Sequence, residues 1–577
     1  MLLQELAAYA ELDRDAPPSG YQKKAVKYVV RLDASGNLLG IISTSLGGKD
    51  KGLIVEVPHL KRANVIRPIL YADTGTYTFG RARAQDRPER IAQAHRSYVE
   101  LADEFAAITE DPGARAVATY LHMLPGNPPD LGEDFDESAL ITFEVAGKRI
   151  PDVPAIRRYW GQRFGAEESG EQTDNKTKYH CIVCGQLKPA VARHPLKIKG
   201  IRTGQSSGTD LISANNDAFF SYGLENSLIA PTCASCAEKY ANGLNRLLRE
   251  DESHVHIAGI EYCFWARDGI ETDITQDVMA PNPERVKKLL GALWSGDEEG
   301  IFLDTTPFFG LALKGNGSRA VVVNWIDTTL GKAKRHQAEF FAAQSIVDSY
   351  GQIGKAYGVP ALANAMVPRT VRNATPPSAT VGALVQFSLT GGQLPMELLN
   401  HAVLRCRAEL GVDHDRAALI KLVLETRRRA KDEGGLTAML DPDNREKAYI
   451  YGRILAVLDE IQYAALGSVN SSVIDRFYPA ASATPKSVFG MLVRNAQNHI
   501  RKIDRDGKKG TAYTLDRRLE ELQNLLPGAD GWEKTLGLEG QSVFALGFYH
   551  ERAHSRAQRL KYRQSEDQET AVDSAEE

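Results

Sequence analysis

The chain has 577 residues, 43% of them apolar, enough for several packed domains; its formal charge of −4 excludes an argument for nucleic-acid binding from total charge and leaves only local basic patches. No apolar run approaches the roughly 18 residues that span a bilayer, and the opening Met1-Leu2-Leu3-Gln4-Glu5-Leu6 lacks the basic start of a signal peptide. Cys263 and Cys406 stand alone beside four cysteines suited to a metal, which fits a reducing compartment, so a cytoplasmic protein with no membrane partner is expected.

Residues 2–12 have the apolar spacing of a short helix. Residues 26–32 and 38–45 flank Asp33-Ala34-Ser35-Gly36-Asn37, a hairpin signal. A strand is expected at 53–57, and strand–turn–strand at 69–73 and 76–80. Residues 88–107 repeat apolar side chains at helical spacing, with Pro88 suited to the first turn. A strand at 140–145 and a helix at 153–164 complete a mixed α+β domain over 1–165.

A polar stretch, 167–178, leads into the most informative part of the chain, a module over 166–250. Cys181/Cys184 and Cys233/Cys236 are two Cys-x-x-Cys pairs. Thiolates three positions apart reach one ion from a tight turn, and two such turns complete a closed tetrahedral zinc site. Buried thiols, a disulfide and a redox pair are the other readings; the last lacks a thioredoxin-like strand–helix context. A closed four-thiolate site has no open coordination position, so the zinc is expected to be structural. Between the pairs, residues 185–209 carry Lys188, Arg193, Lys197, Lys199 and Arg202 and no acid. Gly204-Gln205-Ser206-Ser207-Gly208, Asn215-Asn216 and Ser221-Tyr222-Gly223 follow. A metal-pinned basic loop of small hydrogen-bonding side chains suits a polyanion.

Beyond it, a helix is expected over 237–248, strands at 260–266, 308–313 and 319–325, and a helix at 283–293. That is consistent with an α/β sandwich of ferredoxin type over 251–370, continuing the N-terminal region. Gly315-Asn316-Gly317 lacks a following Gly-Lys-Ser/Thr and reads as a hairpin turn. Pro, Ser and Thr around 375–379 mark a hinge over 371–395. Helices at 396–406, 416–429, 445–465, 488–503, 515–525 and 540–562 then form a bundle over 396–564. The acidic 565–577 lacks apolar anchors and reads as disordered. The fold class expected is α+β: mixed N-terminal α/β domains with a zinc-pinned loop insertion, followed by a C-terminal all-α helical bundle.

One motif argues for catalysis. His550-Glu551-Arg552-Ala553-His554 matches His-Glu-x-x-His, whose two imidazoles can hold zinc on one helix face while the carboxylate polarises water. The metzincin continuation is absent, and the downstream acids all lie in the tail. A zinc metallohydrolase is therefore the alternative reading, and no enzyme is the expectation.

The chain resembles a known family from end to end. The matching residues are Leu2-Leu3-Gln4, Gly20-Tyr21, Tyr77-Thr78-Phe79-Gly80, His194-Pro195, Ile198-Lys199-Gly200, the Gln205 to Gly208 run, Ala218-Phe219 and Gly315-Asn316-Gly317-Ser318-Arg319. Tyr451-Gly452-Arg453, Ala480 to Pro485 and Phe544-Ala545-Leu546-Gly547-Phe548-Tyr549 continue it. This pattern is similar to the large subunit of the subtype I-C CRISPR effector complex, Cascade, the Csd-type family of the Dvulg system. The resemblance implies a non-catalytic subunit that binds beside CRISPR RNA, a guide-end subunit and repeated backbone subunits. Such a subunit reads the protospacer-adjacent motif (PAM) on target double-stranded DNA, helps open the strands into an R-loop and recruits a helicase-nuclease.

On that reading the DNA-contacting candidates are Lys197, Lys199, Arg202, Gln205, Ser206, Ser207, Gly208, Asn215 and Asn216, with Lys61 and Arg62 as a second group. Short donors and a glycine suit the minor groove, and the cations suit phosphates. The resemblance also implies a small subunit made from the same gene by an internal start, assigned to Met439. Arg494, Arg501, Lys502, Arg505, Lys508 and Lys509 would then lie along single-stranded DNA.

Overall fold

The computed structural model describes residues 1–576 apart from 14–16, 19, 47–49, 61, 63–64, 82–86, 133–134, 169–177, 296–301 and 527–530, and without the side chains of 165–168 and 563–576. The chain divides into two compact units, Met1–Arg246 with Gly315–Val321, and Leu247–Lys314 with Val322–Glu577.

The first unit is built on a five-stranded sheet. Leu38–Ser43, Tyr28–Leu32, Leu140–Val145 and Ala72–Thr74 lie side by side in that order, and Lys148–Arg149 pairs with the third. Tyr28–Leu32 and Leu140–Val145 run parallel, with Val30 opposite Phe143. Parallel pairing requires a long crossover, and the helices Pro88–Thr109 and Pro112–Met123 lie within it. Alternation sends Tyr28, Val30 and Leu32 into a core shared with Tyr71, Tyr98, Phe105 and Trp160. The predicted hairpin turn forms because the Asp33 carboxylate accepts from the Ser35 and Asn37 amides, each at 2.9 Å.

Two local expectations are corrected. Residues 76–80 are not a strand: Gly75–Thr78 is a helical turn closed by the Phe79 amide on the Gly75 carbonyl at 2.9 Å, and it buries Tyr77 and Thr78. Its Thr/Tyr alternation imitates a strand. The helix Pro112–Met123 was missed, although Asp111 before a proline is a start signal, and its carboxylate accepts from the Ala114 amide at 3.0 Å.

The second unit opens with a four-stranded antiparallel meander in chain order, His254–Ile257, Ile260–Ala266, Pro307–Asn316 and Arg319–Thr329. This replaces the expected ferredoxin-type sandwich: short turns join the first and last pairs of strands, and the long connection holding the helices Ile274–Met279 and Pro283–Ser295 returns the chain antiparallel beside Ile260–Ala266 rather than across the sheet. Tyr262, Phe264, Phe308 and Ile326 belong to one continuous core with Phe341, Leu384, Leu419 and Ile450 of the helices that follow.

The expected hinge contains the helix Ser378–Thr390, whose Val381, Leu384, Val385 and Leu389 are buried. Each such side chain contributes about 1.5–3 kcal/mol, which holds the segment in the core. The bundle continues through Glu397–Ala408, His414–Ala430, Lys447–Leu466, Val473–Ala483, Pro485–Arg505, Lys509–Asn524 and Leu538–Glu576. Lys447–Leu466 and Leu538–Glu576 meet at paired glycines. A Cβ on Gly452 would lie 2.1 Å from the Phe544 carbonyl oxygen, and one on Gly547 2.1 Å from that of Tyr449. The expected disordered tail is instead helical in its backbone as far as Glu576. Among the described residues no helix is long and apolar enough to cross a membrane.

Candidate metal centre and nucleic-acid interface

Each cysteine pair sits in a turn that the local sequence enforces. The short strands Lys178–His180 and Leu187–Pro189 pair antiparallel and carry Cys181 and Cys184 in the turn between them. There the Gly185 amide donates to the Cys181 carbonyl at 2.8 Å and the Cys181 amide to the Gln186 carbonyl at 3.0 Å. Gly185 takes φ +71°, which glycine adopts without penalty. Cys233 precedes the helix Ala234–Leu247 and Cys236 lies in its first turn. The Ile182 amide donates to Pro231 at 2.9 Å and the Val191 amide to Thr232 at 3.0 Å, tying the two turns together.

The four sulfurs converge. All lie within 4.8 Å of one another, and among the described residues they are the one His/Cys/Asp/Glu group close enough to hold a metal ion. None is in a disulfide; Cys181, Cys233 and Cys236 are buried and Cys184 is exposed. Tetrahedral thiolates about 2.3 Å from an ion stand roughly 3.8 Å apart, so small side-chain adjustments close the shell. The sulfurs also share protons. The Cys236 thiol, donating to Cys233, pulls the latter down to about 5, and the same hydrogen bond pushes Cys236 up. Burial raises Cys181. The Cys233 amide donates to the Cys181 sulfur at 3.4 Å, and the helix start adds positive partial charge. The donor set fits a cation that takes thiolates.

The loop between the pairs folds onto a second turn. Ile198 and Thr209 exchange amide–carbonyl bonds of 2.8 Å, closing a hairpin whose tip is Gln205-Ser206-Ser207. The Gln205 amide donates to Gly317 at 3.1 Å, the Asp210 amide to Ser318 at 2.8 Å, and the Ala320 amide to Asp210 at 2.9 Å. This explains two glycines in the family-like pattern: a Cβ on Gly315 would lie 2.3 Å from the Gly204 nitrogen. Gly208 is buried at φ +99° against Lys197, so it shapes the turn and offers no surface. The Gln205, Ser206 and Ser207 side chains are exposed, as are Lys199 and Arg202.

The remaining loop candidates are engaged within the protein. Lys197 pairs with Asp210 at 2.5 Å. Asn215 accepts from the Arg319 guanidinium, which stacks 4.3 Å from the centre of the Phe219 ring. Asn216 accepts from the Ala218 amide at 3.2 Å, starting a helical turn. Arg319 and the exposed aromatics Phe219 (47% exposed) and Tyr222 (99%) were missed as site residues. Their sequence signal was two aromatics in a polar loop without core periodicity.

A family model described as CRISPR-associated protein (Cas_Csd1) matches residues 3–556. The chain belongs to the Csd1 family of CRISPR-associated proteins. No curated protein matches it in sequence.

Elsewhere in this Csd1-family chain the candidates have mixed surroundings. Arg62 pairs with the fully buried Asp73, donates to the Arg67 carbonyl at 2.7 Å and lies 3.9 Å from the centre of the Tyr77 ring. Its guanidinium thus holds a buried carboxylate; Lys61 lies outside the described residues. Arg494, Arg501 and Arg505 share the exposed face of Pro485–Arg505, opposite Val488, Leu492, Ala496 and Ile503. Lys508 and Lys509, at the start of Lys509–Asn524, are also exposed, whereas Lys502 pairs with Asp506 at 2.5 Å. Met439 is half-exposed before Lys447–Leu466.

The His-Glu-x-x-His residues are not gathered as a metal site. Glu551 is buried and bridges Arg453, at 2.7 Å, and Arg518, whose Nε donates to it at 2.6 Å. Both carboxylate oxygens are thereby taken by guanidinium groups. The half-buried His554 contacts Gln558 at 2.8 Å. His550 is buried, its Nδ1 2.8 Å from the Tyr449 hydroxyl. Burial, with Lys421 and Arg453 nearby, lowers its pKa to about 3.

Because the folded pKa lies below the unfolded one, neutral His550 stabilises fully above about 6.5, and that stability is lost as pH falls through the window toward about 3. The difference is roughly 1.4 kcal/mol per pH unit inside the window. Urea titrations from pH 7 to 4 should therefore show a steeper loss in the natural chain than in His550→Gln. Equal slopes would show that the ring carries its proton in the fold.

Proposed function

We propose that this chain is the non-catalytic large subunit of a type I-C CRISPR surveillance complex, working in the cytoplasm with CRISPR RNA, guide-end and backbone subunits. In this reading it recognises the PAM on target duplex, assists strand opening and R-loop formation, and recruits the helicase-nuclease. The four cysteines hold a structural zinc ion, since borderline-soft, four-coordinate Zn²⁺ suits four thiolates.

The observation that carries the reading is the exposed Gln205-Ser206-Ser207 tip, backbone-bonded to Gly317 and flanked in sequence by exposed Lys199 and Arg202. In RNA-guided recognition, guide pairing reads most of the target, leaving protein to read the short adjacent motif and the backbone. A tip held by backbone bonds presents short donors to a groove edge without an ordering cost, and the cations add salt-dependent phosphate affinity. Replacing Gln205, Ser206 and Ser207 by alanine should weaken motif-bearing duplex about tenfold or more, as each good base-edge contact is worth about 1–3 kcal/mol. Binding of motif-free duplex should change little. Equal loss on every duplex, read by titration at one salt concentration, would exclude base recognition by the tip.

The same gene supplies the small subunit from an internal start at Met439, and Arg494, Arg501, Arg505, Lys508 and Lys509 line the single-strand path. A Met439→Leu gene should lose the short product on a gel; an unchanged short band rejects this start.

A further inference from the structure

A cavity of about 470 Å³ opens in the helical bundle between Lys447–Leu466 and Leu538–Glu576. That volume falls in the range of about 300–1,000 Å³ typical of small-ligand sites. Arg552, Arg556 and Arg559, at helical spacing, supply one wall; Asp459, Glu460 and the exposed Ser468 belong to the other. The carboxylates here are already engaged. Glu551 bridges Arg453 and Arg518 beside the cavity. Glu460 meets Arg518 at 3.3 Å and Arg559 at 3.7 Å. Asp459 interacts with the Ser472 side chain and the Ile474 amide, at the start of Val473–Ala483.

Two cations remain over. Arg453, Arg518, Arg552, Arg556 and Arg559 outnumber Asp459, Glu460 and Glu551 by two, and among the described residues neither Arg552 nor Arg556 is in an ion pair. Arg552 is half-buried, and its guanidinium lies 5.4 Å from the centre of the Phe548 ring. Burial and then Arg556 hold its pKa below the usual guanidinium value, against the pull of Asp459. Arg552 and Arg556 also line a second hollow with Glu409 and Asp413, but Arg416 holds the first of these at 2.5 Å and Arg369 the second at 2.9 Å. An apolar occupant would leave both guanidinium groups without a counter-charge, and a cation would add to their repulsion. A carboxylate fills one guanidinium fork, whereas the oxygens of a phosphate can serve two.

We propose that this cavity takes a phosphate group between Arg552 and Arg556, with the Ser468 hydroxyl beside it. The phosphate belongs either to the backbone of a single DNA strand or to a small free phosphate. The strand source rests on the proposed function; the site itself does not.

The experiment titrates the full chain with inorganic phosphate in place of chloride at constant ionic strength, read by phosphorus NMR, and with a labelled oligothymidylate, read by anisotropy. Two variants accompany the natural chain. Arg552→Met keeps an apolar stem without the charge, and Ser468→Glu, at an exposed position, supplies a rival carboxylate. Far-UV dichroism and the urea midpoint report folding, and Arg552→Met should be no less stable than the natural chain without phosphate, since it removes an uncompensated cation. Phosphate affinity falling about tenfold or more in both variants, the worth of a charge-assisted hydrogen bond, upholds the site. If Arg552→Met fails to fold, Ser468→Glu decides alone. Oligothymidylate binding that falls by the same factor, and that phosphate competes away, identifies the strand source; oligothymidylate binding unchanged by the variants identifies the free source. Phosphate binding that the folded variants leave unchanged, or no phosphate binding to the natural chain, overturns the proposal. A guide-RNA assembly that binds no motif-bearing duplex overturns the proposed function instead, and the phosphate titration still decides the cavity.

Discussion

If the four cysteines hold zinc as proposed, a Cys233→Ser chain should lose it, falling from one ion per chain to a small fraction after dialysis, because a closed four-thiolate site has no spare ligand. Structural zinc in small peptides is worth about 10–16 kcal/mol at pH 7. Residues 185–232 should become protease-sensitive, and the Gln205 tip should lose its hold on duplex. The sheet core around Val30, Phe143 and Trp160 does not include the cysteines and should keep its fold. Metal analysis with limited proteolysis reads both effects. Lowering pH should release the metal, since protons compete for the thiolates. Full zinc retention in Cys233→Ser, or protection of 185–232 after chelation, would show that the centre is not what holds the loop.

Glu551→Ala should be the most destabilising single change in the helical bundle. Glu551 is 1% exposed and neutralises both Arg453 and Arg518. Removing it strips the buried Arg453 of its carboxylate, while Arg518 keeps Glu460 at 3.3 Å, and breaking a buried ion pair from one side costs about 3–5 kcal/mol. For a unit of this size the midpoint should fall by on the order of 10 °C. His554→Ala should cost under about 1 kcal/mol, because its side chain is half-buried and contacts Gln558. Zinc content should be unchanged in both. A chain that sheds zinc on His554→Ala while keeping the Glu551→Ala midpoint would instead support the metallohydrolase alternative.

The helices of the bundle were legible because a buried stripe repeats within a few residues, so Lys447–Leu466 and Pro485–Arg505 emerge within a few residues of their expected limits. Legibility failed where local chemistry was ambiguous. The Pro/Ser/Thr-rich approach to Ser378–Thr390 looked like a linker, yet the apolar run beyond it enters the core. The meander was misassigned because strand order depends on which strands pair, and apolar runs alone do not encode pairing.

The four-cysteine cluster could be read directly: two thiols three positions apart share a turn whatever the rest of the chain does, so their spacing encodes each half of it. The family pattern was equally open, being carried by residues in order along the chain. Which cations remain available was decided in three dimensions. Lys197 and Arg62 meet Asp210 and Asp73, and Arg319 reaches Asn215 from a distant hairpin. Coulombic attraction and hydrogen bonding act over a few ångströms of space rather than over chain separation, so the cations' partners, and the ion-pair role of Glu551, emerge only when the backbone has brought them together.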